Sequence, residues 1–186
     1  MDSTTAAADA CAELNALAEA RGWPMRGSRG DAFEREELRA LYDLWLSKTS
    51  HGIPSRTAFD MRTLRPFARN ITILERTQTG SRKRYRFRLF GSTLALLFGE
   101  HTGRHLDEMV TPALLPSWRA FYDAVLASDR PMRISNYYRT PDENYLMGEI
   151  LAAPMADESG DVRFILAATY VGLEDGVKSP FAEPEP

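Results

Sequence analysis

The chain has 186 residues, 44% of them hydrophobic and 26% charged, a size and composition that predict one globular domain with tails. It contains no apolar run near the ~20 residues of a membrane-spanning helix, and its N-terminus lacks the basic region and apolar core of a secretory signal. The single cysteine, Cys11, excludes an intrachain disulfide, and these features together favour a cytoplasmic protein.

The net charge of −3 conceals a strongly basic segment. Residues 62–88 contain nine Lys or Arg and one acidic residue, Glu75. A nucleic-acid-binding domain of this size would be basic overall, so the charge balance argues against that class. We expect the basic segment to face either acidic parts of this chain or an acidic protein partner.

The first thirty residues are predicted to form a flexible N-terminal arm. Residues 6–20 favour only a weak helix, and three glycines and a proline between residues 22 and 30 then interrupt regular structure. Asp31 and Glu34 have the spacing of a capping box, which predicts a helix over residues 31–48. Its buried face is expected to carry Leu38, Leu41, Tyr42 and Trp45.

The rest of the chain alternates strand and helix patterns. Strands are predicted over residues 70–75, 84–90, 132–139, 145–155 and 162–171, and helices over 92–98 and 112–128. The last strand is apolar on both faces, which places it at the centre of a sheet covered on both sides. This order predicts an α+β fold with an antiparallel sheet. Residues 174–186 are rich in Pro and Glu and are expected to be a disordered tail.

Four segments in this order resemble the PAS domain family, in particular its small stand-alone bacterial members. They are Pro54-Ser55-Arg56, Arg88-Leu89-Phe90-Gly91-Ser92-Thr93, Phe98-Gly99 through Gly103-Arg104, and Ala153-Pro154-Met155. The resemblance implies a five-stranded antiparallel sheet with short helices on one face and an N-terminal amphipathic helix, within a domain of residues 31–173. It also implies a sensory or regulatory domain in bacterial signal transduction that binds a small ligand, a partner protein or both. PAS relatives frequently dimerise, and one amphipathic helix can cover only a stripe of a five-stranded sheet. We therefore expect a homodimer or a signalling partner to contact the apolar side of the sheet that faces away from the middle helices.

The resemblance raises the question of cofactors. Photosensory relatives that bind flavin use a cysteine near the position of Gly103-Arg104, where this chain has His105-Leu106, so a flavin–cysteinyl adduct is not expected. Haem-binding relatives present an imidazole from the long helix, and residues 112–128 contain no histidine, so haem is not expected either. The identity of any organic ligand stays open.

His101 and His105 have the i, i+4 spacing of a helical metal pair. Gly103 lies between them and argues against a helix. We therefore interpret both as exposed loop histidines and predict no metal site.

Candidate ligand-binding residues come from the aromatic positions of the long helix and the following strands. A PAS-like fold encloses a cavity between that helix and the sheet, where tyrosine hydroxyls and an amide could orient a ligand. The candidates are Trp118, Tyr122, Asn136, Tyr138 and Tyr145. The alternative is that these side chains simply fill the core.

Candidate partner-binding residues are Arg84, Arg86 and Arg88, which alternate on one strand. Such a row predicts either a docking surface for an acidic partner or a solvated edge strand protected against aggregation.

The alternative function is a small enzyme with a pocket between helices and a curved sheet. The chain has no Gly-x-Ser-x-Gly elbow and no phosphate-binding Gly-Lys-Ser/Thr sequence. No nucleophile–base pair is evident either, so the sequence predicts that this chain is not an enzyme.

Overall fold

The fold is built on one six-stranded antiparallel sheet with helices on both faces. The computed structural model describes residues 3–29, 33–49, 52–80, 82–139 and 145–173. The helices are α1 (Ser3–Arg21), α2 (Glu36–Leu46), α3 (Met61–Leu64), α4 (Ser92–Phe98) and α5 (Leu115–Ala127), with 3-10 helices at Arg56–Ala58, Arg65–Phe67 and Leu106–Glu108. The strands are β1 (Met25–Arg29), β2 (Ile71–Thr79), β3 (Arg82–Phe90), β4 (Met132–Arg139), β5 (Tyr145–Ala156) and β6 (Val162–Leu173).

The strand order in the sheet is β1-β4-β5-β6-β2-β3. The predicted α+β class, the antiparallel sheet and the central position of the last strand are confirmed. Consecutive residues Ile165 to Ala168 of β6 are all buried, at most 3% exposed, because helices cover both faces of the sheet at this point. Both faces of a central strand must be apolar in such a layered arrangement.

The sheet has a sixth strand, β1, which the sequence analysis did not predict. β1 pairs with β4, and α1 packs beside it with Leu14 and Ala18 each 3% exposed. The side-chain amide of Asn15 donates to the carbonyl oxygen of Gly27 (2.8 Å) and accepts from its backbone N–H (2.7 Å). Residues 10–28 of α1 and β1 are thus packed elements of the fold, where we expected a flexible arm. β1 has the sequence Met-Arg-Gly-Ser-Arg, and with a single apolar side chain it shows no alternating pattern.

The inner face of the sheet, defined by Leu74, Phe87 and Ala167, lies beneath α1, α4 and α5. Further buried residues of this layer include Leu94, Phe121, Val125, Ile134 and Ile150.

The outer face, defined by Ile73, Leu151 and Leu166, lies beneath α2 and the segment from Arg56 to Phe67. Its buried residues include Leu38, Leu41, Trp45, Phe59, Leu64 and Phe67. The chain's own elements therefore cover this face across the described residues. We expected a homodimer or partner contact here because apolar side chains would otherwise be exposed. The chain's own elements already cover them, so an uncovered apolar surface no longer gives a reason for that contact.

The start of α2 is capped by a residue that is distant in sequence. The carboxylate of Glu149 on β5, 3% exposed, accepts from the backbone N–H groups of Glu34 (2.9 Å) and Arg35 (3.1 Å). The predicted capping box does not form the start of the helix, because α2 begins at Glu36; Asp31 lies outside the described residues. An acidic group at a helix N-terminus is favourable because it satisfies free N–H groups and faces the positive end of the dipole.

Gly91 lies where two backbone segments almost touch. A Cβ atom at this position would lie 2.5 Å from the carbonyl oxygen of Arg69, well inside van der Waals contact. The N–H of Gly91 donates to Ile71 and that of Thr93 to Arg69, both at 2.9 Å, so α4 starts directly against the entry to β2. The backbone conformation does not require glycine here, because any residue can adopt its φ of −67°. The close approach of the Arg69 backbone does require it.

We predict that Trp45→Ala lowers the free energy of unfolding by about 3–5 kcal/mol, measured by denaturant titration. Trp45 is 1% exposed, and its indole N–H donates to the carbonyl oxygen of Pro154 at 2.9 Å. Trp45→Phe keeps most of the packing and should cost clearly less. A loss near zero for Trp45→Ala would show that α2 is not docked on the sheet.

We also predict that Gly91→Ala costs about 1–3 kcal/mol or more, because the clash is with backbone that cannot rotate away. Gly172→Ala is the matched control. Its added Cβ would approach only the guanidinium of Arg35, at 3.1 Å, the far end of a flexible side chain. Equal melting temperatures for the two variants would contradict the close approach at Gly91.

Candidate functional site

A cavity of about 220 Å³ lies between the inner face of the sheet and the layer formed by α4, α5 and the segment between them. Four strands contribute to its floor, and both helices contribute to its walls. The lining residues are Thr72, Phe87, Phe90, Leu94, Phe98, Leu106, Met109, Val110, Thr111, Leu114, Trp118, Tyr122, Ile150, Ala167 and Thr169.

The described lining is apolar apart from a few hydroxyl groups and the indole N–H of Trp118. Thr72 and Thr169 lie on the floor and Thr111 on the wall, and Tyr122 adds a phenol from α5. None of the lining residues carries a charge. Such a surface can bind an apolar molecule by van der Waals contact and orient it through one or two hydrogen bonds.

The wall formed by residues 101–111 is hydrogen-bonded to β3, the edge strand of the sheet. The backbone N–H of Phe87 donates to Arg104 (2.9 Å), and that of Gly103 donates to Phe87 (2.7 Å). Asp107 accepts from the guanidinium of Arg84 at 2.8 Å, and this hydrogen bond holds the pKa of Asp107 below its usual range. The carboxylate therefore stays ionised, which keeps the wall attached to β3 around neutral pH.

His101 is buried behind the cavity. It is 7% exposed, and its ring lies against Phe87 and Phe90, with ring centroids 6.3 and 5.4 Å away. Its Nε2 is 2.9 Å from the carbonyl oxygen of Phe98, while Nδ1 is buried without a partner. The interpretation of His101 as an exposed loop residue is wrong, because the segment folds back against the sheet.

The five candidate ligand residues have different positions. Trp118 and Tyr122 both line the cavity. Asn136 is 5% exposed on β4 but lies outside the lining, and its Oδ1 is buried without a partner. Tyr138 and Tyr145 belong to β4 and β5, but their side chains lie outside the described part of the structure. The structure thus brings two of the five to the cavity.

The three candidate partner residues all have bonds within the chain. Arg84 pairs with Asp107, the guanidinium of Arg86 donates to the carbonyl oxygen of Gly103 at 2.9 Å, and Arg88 pairs with Glu75. Their roles in holding the edge of the sheet favour the structural interpretation of this row over an open docking surface.

The sequence analysis missed most of the cavity lining. Thr72 and Thr169 alternate with Ile71, Ile73 and Ala168, residues that face the outer layer. This alternation was readable in the predicted strands and would have assigned both threonines to the inner face. The wall residues Met109 and Val110 lie in an irregular segment that has no periodic pattern.

Two further features bear on the class of site. Among the described residues, no three His, Cys, Asp or Glu side chains come together in a way that could hold a metal ion. None of the helices in the described ranges is long and apolar enough to cross a membrane.

Solved structures with a similar fold are PAS and light-oxygen-voltage (LOV) domains and sensory proteins. They include the PAS-B domain of Drosophila melanogaster Cycle with bound glycerol (12% identity, TM-score 0.41, 55% of this chain and 99% of that chain). A fungal LOV domain photoreceptor has 13% identity and a TM-score of 0.39, over 75% and 94%. A sensory box histidine kinase/response regulator from Burkholderia thailandensis has 10% identity and a TM-score of 0.37, over 61% and 86%. No curated protein matches the chain.

The family comparison covers most of the chain. A model of the PAS domain matches residues 33–169, which span α2 through the first two thirds of β6 and include every residue that lines the cavity. PAS domains are generally sensory signalling domains without enzymatic activity. The sheet, its covering helices and this match agree that the chain belongs to the PAS domain family.

Proposed function

We propose that this PAS domain is a sensory or regulatory module that responds to a small, uncharged and mainly apolar ligand in the cavity between α4, α5 and the sheet. The observation that carries the proposal is the apolar cavity itself, whose described lining residues offer only hydroxyl groups and the indole N–H of Trp118 as polar side-chain groups. The bacterial signalling context and the cytoplasmic location suggested by the sequence belong to the same proposal.

The size and charge of the cavity set the class of ligand. Pockets for drug-sized ligands measure about 300–1,000 Å³, and this cavity has about 220 Å³. A charged group placed in it would lose its hydration without gaining an opposite charge, which is strongly unfavourable. The geometry therefore favours a compact neutral molecule over a carboxylate or a nucleotide.

The same features bear on the cofactors considered from the sequence. Flavin and haem are both larger than the cavity, and α5 carries no histidine that could ligate iron. His101 lies near the cavity, but its Nε2 already contacts the carbonyl oxygen of Phe98. These observations support the proposal that neither flavin nor haem is the native ligand.

The alternative of a small enzyme has less support. Catalysis by acid, base or nucleophile needs a group with a suitable pKa close to the substrate. The described lining offers only threonine and tyrosine hydroxyls, and none of its residues is a carboxylate, imidazole or amine.

The functional unit in this proposal is the predicted domain of residues 31–173 together with α1 and β1. The packing of Leu14, Ala18 and Met25 into the inner layer supports this extension. Residues 174–186 lie outside the described residues, and a disordered tail remains the expectation from composition.

We predict that native mass spectrometry of the freshly purified protein shows a small retained ligand, and that the protein is colourless.

Indole, a compact neutral probe with one polar group, should raise the melting temperature by mass action. Ala167→Leu adds bulk to the cavity floor and should abolish this shift. Thr169→Val removes one hydroxyl and should weaken binding roughly 2- to 12-fold if that hydroxyl bonds the probe.

Ala120→Leu is the matched control, since Ala120 lies on α5 outside the cavity lining. It should leave the indole shift intact. A flavin or haem absorption band would contradict the ligand class, and an indole shift that persists in Ala167→Leu would place the binding site elsewhere.

We also predict that the domain forms a homodimer or binds a signalling partner through the exposed end of α4. Leu96 is 84% exposed and Leu97 51%, and large exposed apolar side chains of this kind are typical of interfaces. Light scattering over a dilution series should show a dimer that Leu96→Glu/Leu97→Glu converts to monomer. Leu17→Glu, at a 37% exposed position on α1, is the control. A monomer at high micromolar concentration would exclude the homodimer.

A further inference from the structure

The cavity is closed more tightly on some sides than on others. Most of its lining residues are buried, among them Leu94, Leu106 and Ile150. Thr111 and Leu114 are the exposed members of the described lining, and Leu114 is 44% exposed. A residue that lines a cavity and is also open to solvent lies at its rim. The segment just before α5 is therefore where the cavity comes closest to the surface.

The wall between α4 and α5 is held in two different ways. Residues 101–108 are tied to β3 by backbone hydrogen bonds and by the ion pair between Asp107 and Arg84, at 2.8 Å. Residues 109–114 have only local hydrogen bonds in the described structure, between groups at most four positions apart in the chain. Moving residues 109–114 away from the sheet would therefore break no hydrogen bond to it.

Opening this second part of the wall also costs little burial. Met109 and Val110 pack on the inner layer but are only partly buried, and Thr111 is exposed. Local opening is easiest where few apolar contacts and few hydrogen bonds to the rest of the fold are lost. At its far end the carbonyl oxygen of Leu114 accepts from the hydroxyl group of Ser117 at 2.7 Å, which keeps the segment attached to α5.

The other sides of the cavity offer no comparable route among the described residues. Its floor is the sheet, which the outer layer covers from below. Phe121 and Val125 of α5 are fully buried in the inner layer, and so, nearly, is Leu94 of α4. The side toward β3 is closed by the bonded residues 101–108. Access from solvent is thus easiest through residues 109–114.

We propose that residues 109–114 form a gate through which small neutral molecules enter and leave the cavity, and that the side chain of Leu114 closes it. The proposal rests on the proposed function in that it takes the cavity to be a ligand site. The rim suits an uncharged ligand, because Phe98, Val110 and Leu114 line it with apolar groups. An ion would lose its hydration on this path without gaining an opposite charge. Gating segments control how fast a ligand exchanges.

The first test needs no ligand. Thr72→Cys places a thiol of similar size on the cavity floor, and Cys11→Ala removes the native thiol. Methyl methanethiolsulfonate, a small neutral reagent, should modify the new thiol at a rate set by opening of the gate. Adding Leu114→Ala should raise this rate roughly tenfold, the factor for a barrier lowered by about two buried methylene groups. Leu114→Trp should lower the rate. Thr169→Cys is a second reporter on the same floor.

Leu17→Ala is the matched control, because Leu17 is a leucine of similar exposure, 37%, that lies on α1 outside the cavity lining. It should leave the rate of thiol modification unchanged, and unchanged melting temperatures show that the fold is intact in each variant. Equal rates in Leu114→Ala and Leu17→Ala would overturn the gate, since the reagent would then reach the floor by another route.

The second test follows a ligand into the cavity of the chain with its native Cys11 and Thr72. 19F exchange spectroscopy with 5-fluoroindole measures both rate constants and the Kd. Leu114→Ala should raise the association and dissociation rate constants together, so that the Kd changes less than either; a merely structural role would change mainly the dissociation rate constant. Rate constants that are the same in Leu114→Ala and Leu17→Ala would overturn the gate. No binding of 5-fluoroindole, alongside thiol rates that depend on Leu114, would contradict the proposed ligand class and still support the gate.

Discussion

The structure depends on the burial of β6 from both sides. Ile165 to Ala168 present apolar side chains alternately to the inner and outer faces, and each face must be covered to keep them from water. The outer layer is formed by α2 and the segment around Phe59 and Phe67, and the inner layer by α1, α4 and α5. The two layers are built from separate parts of the chain and differ in how completely they fill the space above the sheet.

This difference in packing creates the cavity. The outer layer places large side chains, among them Trp45, Phe59 and Phe67, directly on the sheet. The inner face has small side chains at its centre, including Thr72, Ala167 and Thr169, and the space between them and α4 is left open. Protein interiors are otherwise packed to the density of organic crystals. A cavity lined by the centre of the sheet is therefore the natural place for a ligand, and the solid outer layer supports it.

Both edges of the sheet are protected by polar contacts from nearby segments. At β1 the amide of Asn15 occupies the backbone groups of Gly27. At β3 the segment from Gly103 to His105 pairs with the strand, and Arg84 secures the next residues through Asp107. Unpaired strand edges invite association with other chains. Arg84 and Arg86 of β3 therefore help to hold the pocket wall in place.

The sequence by itself determined five of the six strands, the helices α2, α4 and α5, the antiparallel α+β class and the central position of β6, because each of these follows from local periodicity of apolar residues. It also determined that Trp118 and Tyr122 belong to the long helix whose inner face meets the sheet. Only the tertiary structure decided that Glu149 caps α2, that β1 joins the sheet, and that Arg84 pairs with Asp107. These contacts join residues that are far apart in the chain, and no local pattern encodes such pairs. The burial of His101 and the lining at Met109 and Val110 were likewise decided by how an irregular segment folds back on the sheet. The cavity is the space left between two layers, and a sequence specifies that space only through the packing of the whole domain.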